Sequence, residues 1–132
     1  MRKTSLILAF AVLALAIATP ALAQKPAKVN LAGTWTGYTL LGDGNRADIN
    51  LILETVGETY AGKINDETGT IPEMQIKNVT FKDSTLDFEV DLPDGSGTQL
   101  IKIELKYEAD TLKGSWTDLD GESNIIELAR KK

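Results

Sequence analysis

The sequence contains no cysteine and no histidine. Without cysteine, the chain has no disulfide to staple a small domain, no thiolate nucleophile and no sulfur ligand for a metal ion. Without histidine, it lacks the usual general base at neutral pH and the commonest metal-binding side chain. A hydrolase would therefore need paired carboxylates or a Ser-Lys arrangement, and no strand-like run places an acid on its apolar side. We expect no enzymatic activity, no cofactor and no metal site.

Basic residues are in the minority, with 14 Lys and Arg against 19 Asp and Glu and a formal net charge of −5. A negative surface repels phosphate backbones, so nucleic acid is not an expected partner. Sustained helical periodicity is also missing, which argues against a helical domain.

The first 23 residues have the pattern of a secretory signal. Arg2 and Lys3 make a basic start, residues 6–17 form an unbroken apolar run, and residues 21–23 read Ala-Leu-Ala, a cleavage site. The apolar run is shorter than the roughly 20 residues that a spanning helix needs. We expect cleavage after Ala23, a periplasmic or secreted bacterial protein with no membrane attachment afterwards, and a flexible arm over residues 24–32.

Residues 33–130 alternate between apolar and polar side chains, and Gly, Asp and Asn interrupt the alternation at short intervals. This pattern predicts one all-β domain, an antiparallel up-and-down barrel of about eight strands. A Greek-key sandwich is the alternative, although it would need a long crossing loop. The run from Met74 to Phe81 loses its phase near Asn78, which predicts a bulge.

Alternate connections of an up-and-down barrel lie at the same end. The longer connections are the first, third, fifth and seventh, so they are expected at the same end, and they carry mainly acidic charge: 42–46, 66–73, 92–97 and 118–121. Loops on a rigid frame are the usual place for binding, so we expect a site entered past this end. Residues 118–122 lack the spacing and flanking helices of an EF-hand calcium loop.

A Gly-x-Trp motif, Gly33-Thr34-Trp35, opens the first strand, and the basic residue Arg130 closes the last. With the strand pattern, these residues resemble the signature of the calycin group: lipocalins, fatty-acid-binding proteins and avidin-like barrels. The chain is also similar to small lipocalin-like domains of bacterial secreted proteins. It lacks the C-terminal helix and disulfides of true lipocalins and the biotin-contacting tryptophans of avidins. The resemblance implies a barrel plugged by Trp35, with Arg130 packed across it, and an apolar ligand.

The functional prediction is a monomeric, non-enzymatic module that binds a small hydrophobic molecule. The predicted ligand-binding residues point inwards or lie near the mouth: Thr39, Leu41, Tyr60, Phe88, Tyr107 and Trp116. The alternative is a solid barrel that binds a protein partner, for example a secreted protease inhibited by the arm or the loops. Three inward glycines, Gly37, Gly62 and Gly114, either hollow out the interior or mark tight bends.

Overall fold

The computed structural model describes residues 29–132, and residues 31–132 form one compact unit. The predicted signal and residues 24–28 of the predicted arm lie outside the described residues. At the end of that arm, Leu31 is fully buried. No helix within residues 29–132 has the length and hydrophobicity needed to cross a bilayer.

Nine strands make up the described part of the chain, and each pairs antiparallel with its neighbours. They are β1 (Gly33–Leu40), β2 (Arg46–Val56), β3 (Thr59–Asp66), β4 (Met74–Gln75), β5 (Lys77–Lys82), β6 (Thr85–Pro93), β7 (Thr98–Glu108), β8 (Thr111–Thr117) and β9 (Ser123–Arg130).

The hydrogen-bonded order is β4-β3-β2-β1-β9-β8-β7-β6-β5, so the last strand pairs with the first. In that pairing Trp35 stands opposite Arg130. The two ends of the order, β4 and β5, are halves of one bent strand interrupted at Ile76. The first half pairs with β3 and the second with β6, which nearly closes the barrel. The predicted all-β antiparallel barrel is confirmed.

The interruption at Ile76 explains why nine strands are present where about eight were expected. Beyond it, the register against β6 shifts between Lys77 and Thr80, and Asn78 has a φ of 54°. This is the predicted bulge, and it lies where the strand changes partners.

Alternation along the strands produces the core. One side of each strand points inwards, and its apolar residues are almost fully buried. The largest of the fully buried side chains are Trp35, Phe88, Leu31, Leu51, Leu86, Leu105, Leu112 and Val90. Most of them lie towards the end of the barrel that holds Trp35, so that end is the packed one.

The three inward glycines are close-approach positions. A Cβ at Gly37, Gly62 or Gly114 would collide with a backbone carbonyl oxygen of the adjacent strand. None of the three has a positive φ, so the need for glycine comes from this approach and not from the local backbone conformation. They therefore mark the tight bends at which the sheet curls into a barrel.

Candidate functional site

A cavity of about 310 Å³ lies inside the barrel, on the side away from Trp35. Its walls are mainly aliphatic, formed by Ile49, Ile64, Ile71, Met74, Val90, Leu92, Ile101, Ile103 and Ile126. The volume is at the small end of the range for small-molecule sites, about 300–1,000 Å³. The barrel is thus packed at one end and hollow at the other.

The mouth of the cavity is made by the longer connections. Leu41 and Gly42 come from the connection between β1 and β2, Ile71 from that between β3 and β4, and Asp118 and Glu122 from that between β8 and β9. The sequence-based expectation that these connections gather at one end is confirmed. The shorter turns lie at the Trp35 end.

Two polar groups in the wall are satisfied by the wall itself. The Thr39 hydroxyl, on a residue only 4% exposed, donates to the Ile125 carbonyl at 2.8 Å. The Trp116 indole N–H donates to the Leu40 carbonyl at 2.9 Å. Because both donors are already used, these residues offer a ligand mainly a methyl group and an aromatic ring.

Gln99 is different from the other wall residues. Its side chain is half-buried and lines the cavity. No hydrogen bond of its amide to another residue is present in the described part of the chain. The amide can therefore donate to and accept from a polar group carried by a ligand.

Acidic side chains hold the mouth loops in shape. One carboxylate oxygen of Asp66 accepts from the Thr68 N–H at 2.7 Å and the Thr68 hydroxyl at 2.6 Å, and the other accepts from the Ile71 N–H at 3.1 Å. Desolvation alone would raise the pKa of Asp66, but these hydrogen bonds outweigh it, and its pKa lies below the ordinary value. The contacts position Ile71 at the cavity.

On the opposite side of the mouth, the Asp118 carboxylate accepts from the backbone N–H groups of Asp120 at 3.0 Å and Glu122 at 2.9 Å. The Asp118 N–H in turn donates to the Glu122 carbonyl at 2.9 Å. This fixes the turn between β8 and β9 and holds Glu122 at the rim. A Cβ on Gly42 would collide with the Glu122 carboxylate, which therefore reaches across to the first connection.

The packed end is sealed by Trp35. Its indole N–H donates to the Leu31 carbonyl at 3.0 Å. The Arg130 guanidinium lies 4.3 Å from the ring centroid, and Tyr107 packs edge-on at 6.2 Å between centroids. The plug and the arginine across it, implied by the family resemblance, are both present.

A carboxylate anchors that arrangement from outside. Asp110 accepts from Arg130 Nε at 3.1 Å and from the Tyr107 hydroxyl at 3.0 Å. The hydrogen bond from Arg130, followed by that from Tyr107, holds the pKa of Asp110 below its ordinary value. Arg130 also donates to the Ala32 carbonyl at 3.1 Å, which ties the segment before β1 to the last strand.

The structure brings together three of the predicted ligand-binding residues, Thr39, Leu41 and Trp116, in the cavity wall. The other three lie elsewhere. Tyr107 packs on Trp35, and Tyr60 accepts a hydrogen bond from the Leu31 N–H at 3.0 Å, so both belong to the packed end. Phe88 is buried in the core of the barrel and does not line the cavity.

Sequence reasoning missed most of the aliphatic wall. Ile49, Ile64 and Ile101 alternate with polar neighbours, and their closeness to the longer connections was a usable signal. Ile71 lies in a loop, where no periodicity marks it. Gln99 gives no signal of its own, because a polar residue near a strand end is ordinarily solvated.

A second depression, of about 490 Å³, lies on the outer surface of β5 to β8. It is lined largely by outward polar side chains, among them Asp87, Glu89, Lys102, Glu104 and Thr117. Its mixed polar and apolar, solvent-facing surface contrasts with the largely apolar wall of the cavity. Within residues 29–132, no three acidic side chains are placed to hold a metal ion together.

Comparison with solved structures finds other barrels. A redesigned β-barrel superimposes with a TM-score of 0.58 at 19% identity, over 77% of this chain and 92% of that one. The redesigned barrel mFAP1, bound to DFHBI, gives 0.56 at 15% identity, over 76% and 94%. A secretary abundant heat soluble (SAHS) protein from Ramazzottius varieornatus gives 0.51 at 15% identity, over 82% and 100%.

The chain has the antiparallel β-barrel fold of these structures. No protein-family model matches it, and no curated protein matches it. At identities below 20%, the structural likeness concerns the fold alone.

Proposed function

We propose that the protein is a non-enzymatic binding module that holds one small, largely apolar molecule in the cavity at the loop end of the barrel. The observation that supports this most strongly is the contrast between the two ends. The Trp35 end is packed, whereas the loop end encloses about 310 Å³ bounded by aliphatic side chains. A barrel that acted only through its outer surface would gain stability by filling that space.

The secretory pattern predicted for residues 1–23 supports a role in the periplasm or outside the cell. The module is proposed to act there as a monomer. A barrel that superimposes on this chain, mFAP1, is bound to the small molecule DFHBI. A barrel of this general size can therefore enclose a small ligand, which supports the proposal without indicating the same ligand.

The size of the cavity sets the scale of the ligand and of its affinity. At about 30 Å³ for each water-sized group, the space holds at least roughly ten non-hydrogen atoms. Ligands of that size reach on the order of 5–8 kcal/mol, which corresponds to a Kd of roughly 1–200 µM. The gain comes mainly from removing apolar surface from water, at about 25 cal/mol per Å².

The fluorescence of Trp116 provides the test, because this ring lines the cavity while Trp35 is sealed at the other end. We expect a saturable change in emission when short-chain alcohols, fatty acids, amines and retinoids are titrated, and no such change in Trp116→Phe. The panel includes both flexible and ring-containing molecules, since the shape of the ligand is not assumed.

Two variants with the same substitution separate the cavity from the rest of the surface. Val90→Phe fills part of the cavity, because Val90 is 1% exposed and lines its wall. Val56→Phe adds the same bulk at a residue that is 50% exposed at the far end of β2. Binding lost in Val90→Phe and kept in Val56→Phe supports the proposal. No saturable binding by any compound, or equal binding by both variants, refutes it.

A further inference from the structure

We propose, on the basis of the apolar cavity proposed above, that its ligand ends in a cationic or uncharged polar group and that ligands with a carboxylate head are rejected. The argument depends on the charges around the mouth. The connections that surround it, with the strand ends that flank them, carry one basic residue, Arg46, and eight acids: Asp43, Asp66, Glu67, Glu73, Asp94, Asp118, Asp120 and Glu122. None of the residues that line the cavity is basic.

The basic side chains near the mouth, Arg46, Lys63 and Lys102, lie on the outer surface and not in the cavity lining. Arg46 binds Asp48 at 3.0 Å and lies over the Tyr38 ring at 4.3 Å. Lys63 binds Glu73 at 3.1 Å. The partially buried guanidinium of Arg130 lies at the packed end against Trp35, away from the cavity. An anionic head in the cavity would therefore meet the Asp118 and Glu122 carboxylates, with no ammonium or guanidinium among the lining residues.

Asp118 and Glu122 make the charge local to the ligand, because both line the cavity. The Asp118 carboxylate is held by backbone N–H groups, so its position is fixed. Within the described residues, the Glu122 carboxylate has no hydrogen bond or ion pair to another side chain. It can accept from an ammonium or a hydroxyl at the rim, while the Gln99 amide can pair with an uncharged polar head at the cavity wall.

The test compares three ligands with the same ten-carbon tail, namely decylammonium, decanol and undecanoate, near pH 7.5 and low ionic strength. The apolar contribution is constant across the series, so differences in Kd report on the head group. Trp116 emission and calorimetry give the Kd values. We expect decylammonium to bind about tenfold or more tightly than undecanoate, with decanol between them. The preference should shrink towards 0.5 M salt, because the mouth is open to solvent and salt screens exposed charges.

Two variants, Glu122→Gln and Glu122→Lys, test whether the preference for decylammonium arises at the mouth. We expect Glu122→Gln to reduce the preference for decylammonium several-fold and Glu122→Lys to abolish or reverse that preference. Glu104→Gln and Glu104→Lys make the same charge changes on the outer surface of β7 and should leave the preference unchanged. Val90→Phe should weaken the binding of all three ligands to a similar extent, because it fills space that their shared tail would occupy.

The outcomes distinguish this inference from the proposed function. Undecanoate binding as tightly as decylammonium overturns the head-group inference and leaves the apolar cavity standing as a binding site. A preference for decylammonium that changes neither with salt nor with substitution of Glu122 overturns the assignment of this preference to the acidic mouth. Failure of all three ligands to bind overturns the inference and the proposed function together.

Discussion

Gly114→Ala is a sharp test of the barrel geometry, because two physical arguments give it opposite signs. Gly114 lies in β8 and stands opposite Leu105 on one side and Ile126 on the other. Its φ is not positive, so an alanine there strains no torsion angle. From backbone conformation alone, the substitution should stabilise the fold by about 0.4–1 kcal/mol, because it reduces the entropy of the unfolded chain.

The structure predicts the reverse. A Cβ at Gly114 would collide with the Glu104 carbonyl oxygen and lie 3.0 Å from Leu105 Cα. These are backbone atoms of a strand hydrogen-bonded on both sides, so they cannot rotate away as a side chain would. Overpacking of this kind costs about 1–3 kcal/mol or more, and we take the upper half because backbone must move. The net expectation is a loss of about 1–2.6 kcal/mol after the entropic gain is subtracted.

Thermal and urea unfolding followed by circular dichroism measure the effect. A domain of this size shifts its Tm by about 4–8 °C per kcal/mol, so we expect a fall of roughly 5–20 °C. Gly42→Ala is the matched control, since its φ is also not positive and its Cβ would meet only the movable end of Glu122. It should stay within about 1 kcal/mol of the parent. A Gly114→Ala protein as stable as the parent, or more stable, would refute the tight-bend explanation.

Three further predictions concern the packed end and the mouth. Arg130→Met should lower the free energy of unfolding by about 1.5–3 kcal/mol and weaken the near-ultraviolet dichroism of Trp35, because it removes a cation–π contact and charged hydrogen bonds. An unchanged free energy of unfolding together with unchanged dichroism would contradict the role of Arg130 in holding Trp35 in place. The folded-state pKa of Asp110 lies below 3.8, so its carboxylate stabilises the fold above about pH 4, and this stability is lost as pH falls through the folded pKa. The stability difference between the parent and Asp110→Asn should therefore shrink from about pH 5 to pH 2 in acid titrations, and a constant difference would argue against it. Asp66→Ala should speed amide hydrogen exchange across residues 67–73 at a stability cost of about 1 kcal/mol, because three hydrogen bonds brace that loop; unchanged exchange would show that other contacts hold it.

Side-chain alternation was sufficient to predict the barrel. It identifies which residues point inwards, and the pairing of β1 with β9 followed from a meander whose ends carry Trp35 and Arg130. The break at Ile76 was not predictable, because it depends on the two halves bonding to different neighbours. Whether Gly114 leaves space inside the barrel or marks a tight bend likewise depends on its distance to the next strand.

The candidate site was only partly predictable for a related reason. A period of two determines the side of a strand on which a residue lies but not its depth along the barrel axis. Tyr60 and Tyr107 were therefore chosen with Trp116 as inward aromatics, although they lie at the packed end. Depth depends on register, which the sequence of one strand does not contain.

The two tryptophan indole N–H groups provide the most direct test of a cavity at one end only. The Trp116 N–H donates to the Leu40 carbonyl beside the cavity, and the Trp35 N–H donates to the Leu31 carbonyl at the packed end. Each gives its own signal in a ¹H–¹⁵N spectrum, so one titration with decylammonium or decanol reports on both ends at once. We predict that the Trp116 signal shifts and saturates while the Trp35 signal stays in place. Shifts of equal size in both signals, or movement of Trp35 alone, would contradict the account.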